Sequence, residues 1–306
     1  MPQADRRVTT LWAITGVYLF LGVLLIMMPT PATMTLALFL PGLYCIWAGM
    51  AGGLRTGILG IAPAIVAIVP EYIHGAILYM SLYCSGLSMS VLLKRDKIGL
   101  AVMVPSGLLM MFLCTGIILY AEQTGITVLK VLETWVHQIM DQVANVYAQI
   151  LTPVDMARFT SQRPSYERAL TQVMPAIAAA TFAFVIWANL LAVAKVDNRH
   201  DLQNWRTPDI IVALFILAGA CTLAANPTIQ TMGLNLLILV SISYFFQGVA
   251  IIACYFSARQ WSRVLSWAIY LLILSQFYIM ILTAALGLFD TWFNFRKRIQ
   301  RKGEDI

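Results

Sequence analysis

The sequence predicts an all-α, polytopic transmembrane bundle of 8–9 spans with one amphipathic helix outside the membrane. Three observations predict it. Hydrophobic residues make up 60% of the chain and charged residues only 11%, against roughly 25% charged in a soluble domain. Mean hydropathy is +0.80. The apolar residues fall in long runs, most of them near the roughly 17–25 residues a helix needs to cross a bilayer. The formal charge of +6 is clustered between those runs, which is where orientation signals sit. No basic stripe interleaved with aromatics points to nucleic acid.

The first run, near Val8–Met28, follows Arg6 and Arg7. It exceeds the roughly 7–15 residues of a signal-peptide core, so it reads as an uncleaved span with a cytoplasmic N-terminus. The runs near Ala32–Gly53 and Thr56–Val69 meet in AGMAGGLRTGILG, where Gly49, Gly53 and Gly57 recur every fourth residue. Small residues on one stripe let helix backbones approach closely, so these three read as a packing seam. Arg55 marks its cytoplasmic vertex. The runs near Ile73–Leu93 and Ile98–Ala121 enclose Lys94, Arg95 and Lys97 as a second cytoplasmic mark.

Next comes the longest polar segment, 122–168, read as an extracytoplasmic amphipathic helix and loop inserted between spans five and six of a single membrane domain, 1–306. Leu132, Val136, Ile139, Val143, Val146 and Ile150 form one apolar stripe, with Lys130, Glu133, His137, Asp141 and Asn145 on other faces. Such a helix rests on the membrane surface or covers the bundle mouth. Thr152-Pro153 ends it, and Arg163-Pro164-Ser165 leads into the next helix.

Further spans are expected near Ala169–Ala194, Asp209–Ala225 and Thr231–Phe256, and a last, long run covers Val264–Phe289. Pro41, Pro105 and Pro175 fall inside spans, where neighbours must satisfy the freed backbone groups. The charges of the loops agree with a cytoplasmic N-terminus, with Lys195, Arg199, Arg206, Arg259 and Arg263 inside and Lys130, Arg158, Arg163 and Arg168 outside. Nine crossings would put the basic tail, Arg296, Lys297, Arg298, Arg301 and Lys302, outside and cancel most of that asymmetry. A final run that turns back near Ser275-Gln276 keeps it inside.

Enzyme motifs are absent: there is no HExxH, GxSxG, GxxxxGK or GxGxxG in its structural setting, and no catalytic residue, cofactor or metal site is expected. Cys45, Cys84, Cys114, Cys221 and Cys254 lie in separate apolar runs, as packing residues do. His74, His137 and His200 lie in separate segments. Polar residues within or at the ends of spans are Glu71, Ser81, Ser85, Ser88, Glu122, Asn189, Asn235, Gln247, Gln276 and Asp290. Hydrogen bonding between helices accounts for most of them. As a solute site, Glu71, Tyr72, His74 and Glu122 fall together at outer ends, where they would recognise a polar or cationic group.

In the C-terminal third, Asn235-Leu236-Leu237 leads through Tyr244-Phe245-Phe246-Gln247-Gly248 to Leu286-Gly287-Leu288-Phe289-Asp290 and Trp292-Phe293-Asn294-Phe295-Arg296-Lys297-Arg298. This stretch resembles the YybS-like family of bacterial membrane proteins, a domain of unknown function. That family is similar to the S components of energy-coupling-factor transporters. The resemblance implies an S-component-like core in the bacterial inner membrane and a solute held near the outer face. It also implies, as partners, a membrane coupling protein and ATPases beside the lipid bilayer. The small pair on the first helix that contacts the coupling protein is replaced here by Ala13 and Val17. The alternative is a membrane interaction or assembly protein that transports nothing. Trp292, Phe293 and Phe295 read as an interfacial anchor beside a basic stop.

Overall fold

The computed structural model describes residues 3–197, 202 and 205–297. Arg199, His200, Arg298, Arg301 and Lys302 lie outside the described residues. Among the described residues 88% are helical and none forms a strand. Its α-helices are α1 (Gln3–Met27), α2 (Pro31–Ala37), α3 (Leu40–Ala51), α4 (Gly53–Leu59), α5 (Ile73–Leu93), α6 (Ile98–Thr124), α7 (Val128–Ile150), α8 (Pro153–Asp197), α9 (Ile210–Thr222), α10 (Pro227–Ala258), α11 (Arg263–Ser275) and α12 (Phe277–Phe293). Two 3-10 segments, Ala62–Ile68 and Pro70–Tyr72, join α4 to α5.

Among the described residues six helical stretches are long and apolar enough to cross a membrane, or seven if the α11–α12 pair counts as one span. Two other runs read as spans in the sequence form shorter helices. The run at Thr56–Val69 breaks into α4 and a 3-10 segment, and α9 has 13 residues. At 1.5 Å per residue such a helix covers about 20 Å of a hydrocarbon core of about 30 Å. The last apolar run bends by 106° between α11 and α12, at the Ser275-Gln276 step where the sequence suggests a turn.

The chain divides into two compact units, Met1–Leu109 with Thr181–Val212 and Ser241–Ile306, and Met110–Ala180 with Ala213–Val240. In the first unit α1, α3 and α5 pack around buried Tyr18, Tyr44, Trp47, Tyr79 and Tyr83. Neighbouring rings in this group meet at 5.2–6.4 Å between centroids, within the range of favourable aromatic pairing. Two of the tyrosines also hold irregular backbone. Tyr83 donates from its hydroxyl to the Gly57 carbonyl at 2.6 Å, and Tyr79 donates to that of Gly60. Those carbonyls lie where α4 gives way to 3-10 geometry, and a hydroxyl replaces the partner the helix no longer supplies.

The glycine seam is placed differently from the expectation. Gly52, with φ +89°, makes the turn between α3 and α4. A Cβ at Gly49 would meet open space, one at Gly53 only Lys94 Nζ at 3.0 Å, and one at Gly57 only tyrosine hydroxyls at 4.0 Å. Close backbone approach falls instead on glycines that the every-fourth-residue pattern does not include. A Cβ at Gly75 would collide with the Ile26 backbone. Spacing marks a small stripe, but only the partner helix decides which stripe is crossed.

In the second unit α7 and the N-terminal part of α8 form an antiparallel hairpin. Tyr147 faces Phe159, Asp141 pairs with Arg163, and His137 meets Glu167, so partners descend along α8 as they climb α7. Residues 153–168 are thus helix and not the expected loop. Pro153 sits at the first helical position, where its missing N–H costs nothing, and Thr152 bonds the Asp155 N–H at 3.3 Å. The stripe of α7 is partly covered: Val136 is buried, Leu132 and Val143 are half-buried, and Ile139, Val146 and Ile150 are exposed.

Candidate functional site

Of the residues expected to bind solute, three lie in the first unit and one in the second. Glu71 and His74 are exposed and Tyr72 is half-buried, on the last 3-10 segment and the first turn of α5 in the first unit. Glu122, also exposed, belongs to the second unit. Arg55 lies in the first turn of α4, and Lys94, Arg95 and Lys97 lie between α5 and α6. Among the described residues no three His, Cys, Asp or Glu side chains converge as a metal site would need.

Polar side chains converge instead on the α7–α8 hairpin. Leu129, Lys130, Glu133, Thr134 and His137 of α7 face Pro164, Glu167, Arg168, Thr171 and Gln172 of α8 across an open groove of about 580 Å³. Arg163 braces it. Its guanidinium donates to Glu167 and to Asp141, each at 2.7 Å, and His137 Nδ1 lies 3.0 Å from the same Glu167 oxygen. An i,i+4 pair on α8 therefore also clamps α7. Lys130 pairs with Glu133 along α7 at 3.2 Å, whereas Arg168 is exposed on the groove wall. The lining combines both signs of charge with apolar stems.

The Arg163 hydrogen bond is the main cause holding the Glu167 and Asp141 carboxyls below their ordinary pKa values, with His137 adding to it. Lowered folded-state values mean that this stabilisation is present at neutral pH and is lost as pH falls below the usual carboxylate range, around 4. The Arg163 pKa is raised by the same two partners, so that group keeps its charge throughout. Hydrogen exchange in α7, corrected for intrinsic rates, is expected to stay constant from pH 7 to about 5 and to rise below about 4. Arg163→Ala removes that acid dependence.

A second polar centre is buried in the first unit. Gly248 on α10 and Gly287 on α12 let the two helices touch backbone to backbone: a Cβ at Gly287 would collide with the Tyr244 carbonyl, and one at Gly248 with that of Thr283. This close approach sets Gln247 beside Asp290, and Gln247 Nε2 donates to Asp290 Oδ2 at 3.2 Å. Gln247 Oε1 accepts from the Thr207 N–H at 2.9 Å. Asp290 Oδ1 caps the chain after α12 by accepting from the Phe295 N–H at 2.8 Å. Arg296 Nε lies 3.6 Å from Asp290, and its Nη1 donates to the Trp205 carbonyl at 2.7 Å. Asp290 is 0% and Arg296 3% exposed. Arg296 is therefore the buried counter-ion of Asp290 and not part of an interfacial basic stop.

Sequence reasoning singled out Asp290 and Gln247 but missed Arg163 and the role of Arg296. The i,i+4 spacing of Arg163 and Glu167 was one available signal; the pairing across α12's end had none, because it depends on the left-handed turn at Asn294 (φ 48°).

The two asparagines noted inside spans each join two backbone groups beside a proline. Asn189 Oδ1 accepts from the Gly42 N–H and its Nδ2 donates to the Leu38 carbonyl, both at 2.9 Å, next to Pro41. Asn235 Oδ1 accepts from the Ala176 N–H at 3.1 Å and its Nδ2 donates to the Gln172 carbonyl at 2.8 Å, next to Pro175.

A family model described as Predicted membrane protein (DUF2232) matches residues 16–291. No curated protein and no solved structure matches the chain.

Proposed function

Because the chain belongs to the DUF2232 family of predicted membrane proteins, we propose that it is a solute-binding component of inner-membrane transport, similar to the S components of energy-coupling-factor systems. The observation that carries this reading is the α7–α8 groove. Its volume of about 580 Å³ falls within the roughly 300–1,000 Å³ of small-molecule sites. The lining supplies cationic and anionic groups within one cleft, which suits a solute carrying both charged and apolar parts. The resemblance of the Asn235–Arg298 stretch to the YybS-like family and its S-component relatives supports the same reading. We place the N-terminus in the cytoplasm, on the loop charges, and the groove on the outer side. A coupling protein and ATPases would then be its partners.

The test is a thermal-unfolding screen of the nanodisc-embedded protein against water-soluble vitamins, amino acids and their phosphates. A solute at 100 times its Kd stabilises by about 2.7 kcal/mol, which reads as a clear upward shift. Lys130→Ala with Arg168→Ala is expected to abolish the shift. No shift with any compound, and no small molecule copurifying by mass spectrometry, would reject the reading.

The exposed row Trp135, Ile139, Val146 and Ile150 on α7 favours a second reading, docking of another membrane protein. Photo-crosslinking from Ile139 or Val146 to one protein partner, in the absence of any bound solute, would select it.

A further inference from the structure

A proline inside a helix lacks one N–H and presses its ring on the preceding turn, so the hydrogen-bond ladder beside it opens readily. In an apolar setting the opened groups must find another partner, because each unsatisfied one costs several kcal/mol. One side-chain pattern recurs at two prolines here, Pro41 in the first turn of α3 and Pro175 inside α8. At Pro41 the Asn189 amide joins the Gly42 N–H and the Leu38 carbonyl; at Pro175 the Asn235 amide joins the Ala176 N–H and the Gln172 carbonyl. In both, the bridged groups are four residues apart, the pair that an unbroken helix joins directly. Both asparagines are steadied alike, Asn189 by donating to its own Val185 carbonyl at 2.8 Å and Asn235 to Thr231 at 2.9 Å.

The two sites differ in one respect. Around Pro41 the helix is broken, since α2 ends at Ala37 and α3 begins at Leu40, whereas α8 runs continuously through Pro175. One clasp therefore fits both an open and a continuous helix. Opening α8 at Pro175 leaves the Ala176 N–H and the Gln172 carbonyl paired with Asn235 while that side chain stays in place. The arm beyond Pro175 is the α7–α8 hairpin, and Thr171 and Gln172, at the joint, also line the groove.

We propose that Pro175 and Asn235 form a hinge in α8 that lets the α7–α8 hairpin swing against α10. The hinge is a property of the empty protein and does not rest on the groove holding a solute. Failure of the solute reading and failure of the hinge are thus separate results.

The test uses the full chain in nanodiscs, with its five native cysteines replaced and spin labels at Gln149→Cys on α7 and Gln230→Cys on α10. Double electron–electron resonance is expected to show two distance populations. Pro175→Ala returns a backbone N–H to the ladder, favours the continuous helix, and is expected to lose one population while folding normally. Asn235→Ala removes the clasp and, where it folds, shifts the remaining distance or its weight. A native distribution that is single and no wider than that of Pro175→Ala would overturn the hinge.

Discussion

Replacing Asp290 with alanine removes the carboxylate 3.6 Å from the buried Arg296 guanidinium and is expected to lower stability by about 3–5 kcal/mol, the usual cost of breaking a buried pair from one side. The geometry places this variant at the severe end. Asp290 is fully buried, accepts from Gln247 Nε2 and caps the Phe295 N–H, so its loss strands a side-chain donor and a backbone donor as well as the cation. Arg296→Ala is expected to be comparably harmful, because a carboxylate remains where water cannot reach it. The double variant should lose less than the sum of the two singles, since no lone charge survives. Thermal unfolding in detergent with all three proteins measures the coupling. Full additivity would show that the 3.6 Å pair contributes nothing beyond its separate hydrogen bonds.

Asn189→Ala is expected to rank next. The side chain is 2% exposed and serves the Gly42 N–H and the Leu38 carbonyl at once. Alanine leaves both without that partner, and a buried unsatisfied group costs about 1–3 kcal/mol. The α2–α3 break cannot close to compensate, because Pro41 still presses on the preceding turn. Asn189→Asp is informative beside it: the acid keeps the acceptor for Gly42 but has no amide donor for Leu38, so it should recover only part of the loss. Unfolding temperatures of the two variants against the native protein test this order, and an alanine variant as stable as the native chain would refute it.

These two centres show what could be read in advance. Asn189, Asn235, Gln247 and Asp290 stand out in the sequence because polar residues are rare in apolar runs. Their partners do not stand out, since all four bond backbone groups, and every residue carries those. Which N–H lies open depends on where a helix breaks. The same limit applies to Gly49, Gly53 and Gly57: their spacing is visible, but backbone approaches that need glycine occur at Gly75 and, where α10 meets α12, at Gly248 and Gly287. Of the expected solute residues, Glu71, Tyr72 and His74 share one segment only because they are neighbours in sequence. The groove residues of α7 and α8 come together through a reversal at Leu151-Thr152, and the Arg163 clamp across it links positions 22 and 26 residues apart.

The sequence by itself determined that this is a helical membrane protein, where most helices run and that 128–150 is amphipathic, and it offered a turn near Ser275-Gln276 as one of two readings of the last apolar run. Those properties follow from composition and from periodicity within single segments, where neighbours in sequence are neighbours in space. The tertiary structure alone decided the number of helices long enough to span, the true glycine contacts, the Asp290–Arg296 pair, the asparagine clasps and the groove. Each of these depends on backbone geometry at a break or on which face one helix turns to another. Such choices arise from packing among distant segments, and no single run of residues encodes them.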